Sequence, residues 1–150
     1  MVAVRAARAD DSRSLWEWRN DPVSRENSHS SAEVPFRDHD AWFTHSLSSA
    51  RRRIYIGLDE NEARIGMVRF DADATRALVS INLAPDARGR GASHPLLEAA
   101  LDAFHLDRPA VVEVIAEVKE SNVASLRLFA AAGFGRVGSS DGVVTLSRSL

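Results

Sequence analysis

The stretch Leu83-Ala84-Pro85-Asp86-Ala87-Arg88-Gly89-Arg90-Gly91-Ala92-Ser93 gathers the residues of this chain best suited to hold an anion. It follows an apolar run, Leu78 to Leu83, that reads as a buried strand, and it leads into Leu96, Leu97, Leu101 and Phe104 at helical spacing. A strand thus feeds a Gly-rich turn that opens a helix. The first turn of a helix carries N–H groups without internal partners, and the helix dipole adds partial positive charge there. Glycines let a ligand approach the backbone, and Arg88 and Arg90 add formal charge, which suits a pyrophosphate. A basic turn between two elements is the plainer alternative, and the turn by itself does not separate the two.

Other side chains carry two readings each. Asn82 and Ser80, on the strand before the turn, could hold a water or simply supply strand polarity. Glu113 and Glu117 share one face of a later strand, where Glu117 is either a base or part of a solvated face. His39 and Trp42 share a helical face. Trp42 is a stacking platform for a base or sugar, or a core residue; His39 is a phosphate contact, or a satisfied surface histidine. Ser125 follows Asn122 by one helical turn on the same face. The pair Asp10-Asp11 reads as a helix cap and the run Arg51-Arg52-Arg53 as a solvated turn. The histidines show no metal-ligand spacing, so no metal site is expected.

The elements that must position these residues follow from periodicity. Val2 to Ala6 reads as a short strand, and a helix runs through Leu15, Trp16 and Arg19 until Asn20-Asp21-Pro22 ends or bends it. Val23 to Pro35 reads as a loop or irregular helix. Phe36, His39, Trp42, Phe43 and Leu47 form an amphipathic helix. Strands are expected at Arg53 to Leu58, Ala63 to Phe70 and Arg76 to Leu83, with turns at 59–62 and 71–74. A helix spans about Ser93 to His105, with Pro95 tolerated in its first turn. Val111 to Val118 is a strand, and Ser121 caps a helix that stops at Gly133. Phe134 to Val137 and Val143 to Ser147 form a hairpin about Ser139-Ser140-Asp141-Gly142. The order describes an α/β (α+β) domain with a mixed sheet.

The composition narrows the classes of function. The chain has 150 residues, 45% hydrophobic and 27% charged, as expected of one globular domain with a proper core. A net charge of -2 argues against a nucleic-acid binder relying on bulk charge. With no cysteine, disulfides, thiolate metal sites and cysteine nucleophiles are excluded. No apolar run reaches membrane-spanning length, and the N-terminal segment lacks a signal-like apolar core, so a cytoplasmic protein with no membrane partner is expected.

Arg88, Gly91 and Ser93 occupy the positions of a motif written as Arg or Gln, two residues, Gly, one residue, Gly or Ala. Asn122, Ser125, Leu128, Phe129 and Gly133-Phe134 form a second signature at suitable distance. On these residues the chain resembles the GNAT superfamily of acyl-CoA N-acyltransferases. The resemblance implies a mixed, mostly antiparallel sheet of six to seven strands with about four helices. It implies acetyl-CoA as cosubstrate and no metal. Arg88, Gly89, Arg90, Gly91, Ala92 and Ser93 would take the pyrophosphate, and backbone groups near Ile81 and Leu83 would face the acyl group between two splayed strands. Asn122 and Phe129 would also contact the cofactor. Two departures stand out: Ser93 replaces Gly or Ala, and Phe129 stands where many members carry the Tyr that protonates the leaving thiolate. Ser125 could supply that proton instead, with Asn82 as the other catalytic candidate.

Leu15-Trp16-Glu17-Trp18-Arg19-Asn20-Asp21-Pro22, Arg25-Glu26-Asn27-Ser28, Pro35, His39 and Trp42-Phe43 resemble acetyltransferases of nucleotide-linked amino sugars, of the pseudaminic acid type. That implies Asn27, His39 and Trp42 at the acceptor, a small-molecule amine, and a monomer or homodimer. A sugar amine beside electron-withdrawing oxygens is less basic than lysine, so direct attack needs no strong base. Protein N-termini and small-molecule amines remain alternative acceptors, and a non-catalytic acyl-CoA-binding module is the alternative of another class.

Overall fold

The computed structural model describes residues 2–150. Seven strands form one sheet: β1 (Ala3–Ala6), β2 (Arg52–Leu58), β3 (Arg64–Asp73), β4 (Arg76–Leu83), β5 (Glu113–Lys119), β6 (Gly135–Ser140) and β7 (Val143–Ser149). Their spatial order is β1-β2-β3-β4-β5-β7-β6. Every neighbouring pair is antiparallel except β4 and β5, which are parallel and joined by a helical crossover. Five α-helices accompany the sheet, one more than anticipated: α1 (Ser12–Asn20), α2 (Pro22–Asn27), α3 (Phe36–Leu47), α4 (Ser93–Asp107) and α5 (Val123–Ala131).

Strand alternation divides the core between the two faces of the sheet. Tyr55, Val68 and Phe70 point to the face covered by α4, where Phe70 stacks on Phe104 with ring centroids 4.1 Å apart. Ile54, Ile56 and Ile65 point to the opposite face, against Leu15 and Trp18 of α1 and Phe43 of α3. Each such buried side chain contributes about 1.5–3 kcal/mol. The central strands are therefore covered on both sides, and this fixes them as a platform.

The parallel pairing is short. Only Arg76↔Glu113, Ala77↔Val114 and Leu78↔Ile115 are in register. Beyond Leu78, β4 stays paired with β3 as far as Gly66↔Leu83, while β5 stays paired with β7 as far as Lys119↔Val143. Each strand follows its other neighbour, so the sheet opens into a wedge between them.

Several local expectations are corrected. Asp21 does more than end α1: its Oδ2 accepts from the Val23 and Ser24 amides at 3.1 and 3.2 Å. With Pro22 at the first helical position, it starts a short helix, so of the two readings of 23–35, loop or irregular helix, the helix holds as far as Asn27. β3 runs on through Asp73, because residues 71–73 still find partners on β4. α5 is capped by Asn122 rather than Ser121, its side chain accepting from Ser125 N. The terminal hairpin turns on two residues, Asp141 and Gly142, with φ of 53° and 78°, the conformation a tight type I′ turn requires. Asp11 stands at the N-cap of α1 as expected, but its side chain caps the preceding 3-10 turn and not α1 itself. Its fully buried carboxylate accepts from both terminal nitrogens of Arg5 at 2.8 Å, from Arg64 Nε at 2.7 Å and from Arg8 N at 2.7 Å. Nor are the arginines at 52 and 53 a solvated turn: Arg52 pairs with Asp71 and Arg53 with Asp107.

Candidate active site

The wedge between β4 and β5 opens into a cavity of about 500 Å³. Its β4 wall is Val79 to Leu83, including Ile81, Asn82 and Leu83; its β5 wall is Glu117 and Val118. α5 contributes Ser125 and Phe129 beside its cap Asn122, while α2 and α3 contribute Asn27, His39 and Trp42. The structure thus brings together on one cavity residues from both halves of the chain that sequence reasoning singled out. Of the turn, Arg88, Gly89 and Ser93 line the cavity, whereas Arg90 and Gly91 are exposed outside its lining and Ala92 packs against the α1/α3 side of the core.

The turn does not open the helix directly. A 3-10 turn, Pro85–Ala87, comes first, then the bend at residues 88–92. Gly89 and Gly91 adopt φ of 74° and 70°, while a Cβ built on either would meet nothing within 4 Å. These glycines are needed for backbone conformation, not for room. The cap of α4 is Ala92, with no side chain to take the first amides. Among the described residues, the backbone N–H groups of residues 89–94 have no hydrogen-bond acceptor. They form a row of free donors at a helix N-terminus, which suits a pyrophosphate.

Arg88 sits otherwise than expected. Its guanidinium turns inward, to Asp21 Oδ2 at 2.8 Å, Ser24 Oγ at 2.9 Å and the Leu83 carbonyl at 3.5 Å. Burial alone would raise the Asp21 carboxyl, but Arg88 and the capped amides hold it below the ordinary value. Formal charge left for an anion at this turn comes from Arg90. At the far end of α2, Lys119 of β5 donates to the Glu26 carbonyl at 2.9 Å. The short helix therefore spans the wedge, tied to one jaw through Arg88 and to the other through Lys119.

The side of the cavity formed by α3 and β3 is basic and aromatic. Arg69, on the β4-facing strand β3, shares Asp71 with Arg52, at 3.1 and 2.6 Å. Both guanidinium carbons stand near the Trp42 ring, 5.4 and 5.2 Å from its centroid. Trp42 thus already serves as a platform for two cations. Arg19 also lines the cavity and forms no ion pair among the described residues. His39 is no surface histidine: it is 3% exposed, stacks on Phe43 at 5.9 Å and leaves Nε2 without a partner. Burial pushes its pKa below the ordinary value, more than a hydrogen bond with the Ser12 backbone raises it, and Arg19 adds to the lowering. Sequence reasoning missed Arg69 and Ser24. Arg69 stands between Val68 and Phe70, the position any outward polar residue of a strand takes, and Ser24 lies in no motif, so neither carried a local signal.

A family model described as the acetyltransferase (GNAT) domain matches residues 2–135, and the chain belongs to that family. No curated protein matches it in sequence. Among solved structures, it is similar to a spermidine N-acetyltransferase from Vibrio cholerae in complex with CoA and spermine. That structure is 18% identical with a TM-score of 0.87, over 99% of this chain and 95% of the other. It is also similar to the aminoglycoside acetyltransferase AAC(6')-Ib in complex with coenzyme A, 20% identical with a TM-score of 0.82, over 99% and 95%. A phosphinothricin acetyltransferase from Sinorhizobium meliloti in complex with AcCoA is 23% identical with a TM-score of 0.81, over 99% and 88%. These likenesses show the fold.

Proposed function

We propose that this N-acetyltransferase moves the acetyl group of acetyl-CoA to the primary amine of a nucleotide-linked amino sugar. The observation that carries the reading is the wedge: β4 leaves β5 after Leu78, and the free N–H donors of residues 89–94 stand at its margin. The donors suit the pyrophosphate. The unpaired edges of Val79 to Leu83 and Ala116 to Lys119 suit an amide-bearing arm, and Ile81 to Leu83 border the place for the thioester. The amine enters from the side of Asn27, His39 and Trp42. Its lone pair attacks the thioester carbonyl, a C–N bond forms and the C–S bond breaks; the nitrogen gives up its extra proton to water, and the thiolate takes a proton for which Ser125 is the candidate donor, the serine recovering its own from water. Positioning carries much of the rate in such direct attack.

A nucleotide-linked acceptor is supported by charge. Arg19 and Arg69 line the cavity, and one carboxylate, Asp71, is shared by two arginines. This flank favours an acceptor that brings phosphate. The reading takes residues 1–150 as a single domain acting in the cytoplasm, as a monomer or homodimer, on a small molecule. Mass spectrometry with acetyl-CoA and a panel of nucleotide-linked amino sugars, polyamines and peptides tests it. Acetylation of the sugars is expected; acetylation of peptides alone moves the acceptor to protein N-termini. One observation favours a second reading: Phe129 is 3% exposed and brings no hydroxyl where a thiolate would leave. Acetyl-CoA binding without turnover on any amine would make the chain a non-catalytic acyl-CoA-binding module.

A further inference from the structure

Asn82 sits on the splayed half of β4, beside the place where the acetyl group would meet the amine. Its side chain is oriented by a chain of hydrogen bonds with one direction. Arg88 is a donor only. Its Nη2 donates to Ser24 Oγ at 2.9 Å, and the Ser24 hydroxyl in turn donates to Asn82 Oδ1 at 2.9 Å. The carbonyl end of the amide is thereby held toward α2. The other end, Nδ2, has no acceptor among the described residues, is not buried, and belongs to a residue lining the cavity. What Asn82 presents is therefore an N–H donor. It cannot take a proton from an ammonium group, which removes it as a base; it can only bind a lone pair.

We infer that Asn82 is a positioning residue that selects amines bearing a neighbouring oxygen, its amide polarity set from Arg88 through Ser24. This rests on the acetyl-transfer reading above, and it narrows the acceptor to amines with an adjacent hydroxyl or ether oxygen. A site whose donor meets an oxygen rejects the analogue that lacks it, because the donor is then left unpaired. Asn82→Asp turns the donor into an acceptor while still accepting from Ser24. Ser24→Ala cuts the relay, and Ser24→Thr preserves it.

The test compares kcat/KM for trans-2-methoxycyclohexylamine and cyclohexylamine, a ring-sized pair differing by one methoxy group whose ether oxygen can only accept, with acetyl-CoA as donor. The wild-type protein is expected to prefer the ether-bearing amine by about tenfold or more. Asn82→Asp should abolish the preference through the acceptor KM, Ser24→Ala should lose most of it, and Ser24→Thr should keep it. Calorimetric acetyl-CoA affinity should be unchanged in the two Ser24 variants, and the Tm of Asn82→Asp should stay close to that of the wild type, which separates a positioning role from a folding defect. Equal rates for the two amines in the wild type, or a preference that survives Asn82→Asp, overturn the inference. If that happens while nucleotide-linked amino sugars are still acetylated, only the inference falls. Absence of turnover on every amine overturns the functional reading and the inference with it.

Discussion

The Ser125 hydroxyl has no partner among the described residues, although its N–H is fixed by Asn122 Oδ1 at 3.2 Å. A hydroxyl on the cavity wall, held by a capped first turn and otherwise uncommitted, is well placed to give a proton to a thiolate. Ser125→Ala is expected to lower kcat about tenfold or more while leaving acetyl-CoA affinity intact. Wild-type turnover would return Ser125 to packing and make Phe129→Tyr the variant to test for a gain. Trp42 presents a different balance. Its ring faces Arg52 and Arg69, each such contact being worth about 0.5–1 kcal/mol. Trp42→Ala should raise the acceptor KM by releasing Arg69 and spare acetyl-CoA binding; loss of the folded state in thermal melts would place Trp42 in the core instead. At this scale the sequence was legible for identity more than for partnership. Arg88, Asn122 and Ser125 stand out in their motifs. That Arg88 would face Asp21, 67 positions away, had no local signature.

Elements were easier to read wherever the periodicity was sustained. α3 and α4 lie where their apolar spacing put them, and β2, β3 and β4 fall on the segments read as strands. Ends and caps were harder, since they depend on single hydrogen bonds; α2 needed Asp21 and Pro22 to be seen as cap and first residue. Two elements carry predictions. The turn before α4 depends on Gly91 at φ 70° in open space. Gly91→Ala therefore costs about 1–2 kcal/mol in the local backbone and reorders the free amides. Weaker acetyl-CoA binding by calorimetry is expected, with Tm lowered by about 2–8 °C; unchanged affinity would remove the turn from the proposed cofactor site. Asp11 ties β1 to β3 through Arg5 and Arg64. Burial alone would raise its pKa, but the hydrogen bonds from Arg5, the Arg8 amide and Arg64 outweigh it and bring the carboxyl down from 3.8 to about 2. Because the folded value lies below the unfolded one, the stabilisation is complete above about pH 4. It is lost as pH falls through about 2, and amounts to something on the order of 2 kcal/mol. Asp11→Asn should remove that part of the acid transition in urea titrations followed between pH 2 and 7.

For the molecule as a whole, the consequence of the wedge lies in α2, the short helix tied to both of its jaws. It buries no residue of its own. What holds it is polar: the Asp21 cap, Arg88 on the side of β4 and Lys119 on the side of β5. A segment with no apolar anchor opens without unfolding the rest, at a free energy well below the global one. The backbone amides of residues 23–27 should thus exchange with deuterium orders of magnitude faster than those of β4 and β5. Arg88→Gln should accelerate that exchange further without moving the protection of the central strands; equal protection across α2 and β4 would contradict it. The cavity wall that α2 forms is thus a separately breathing unit, its local stability set by three polar ties and not by the core.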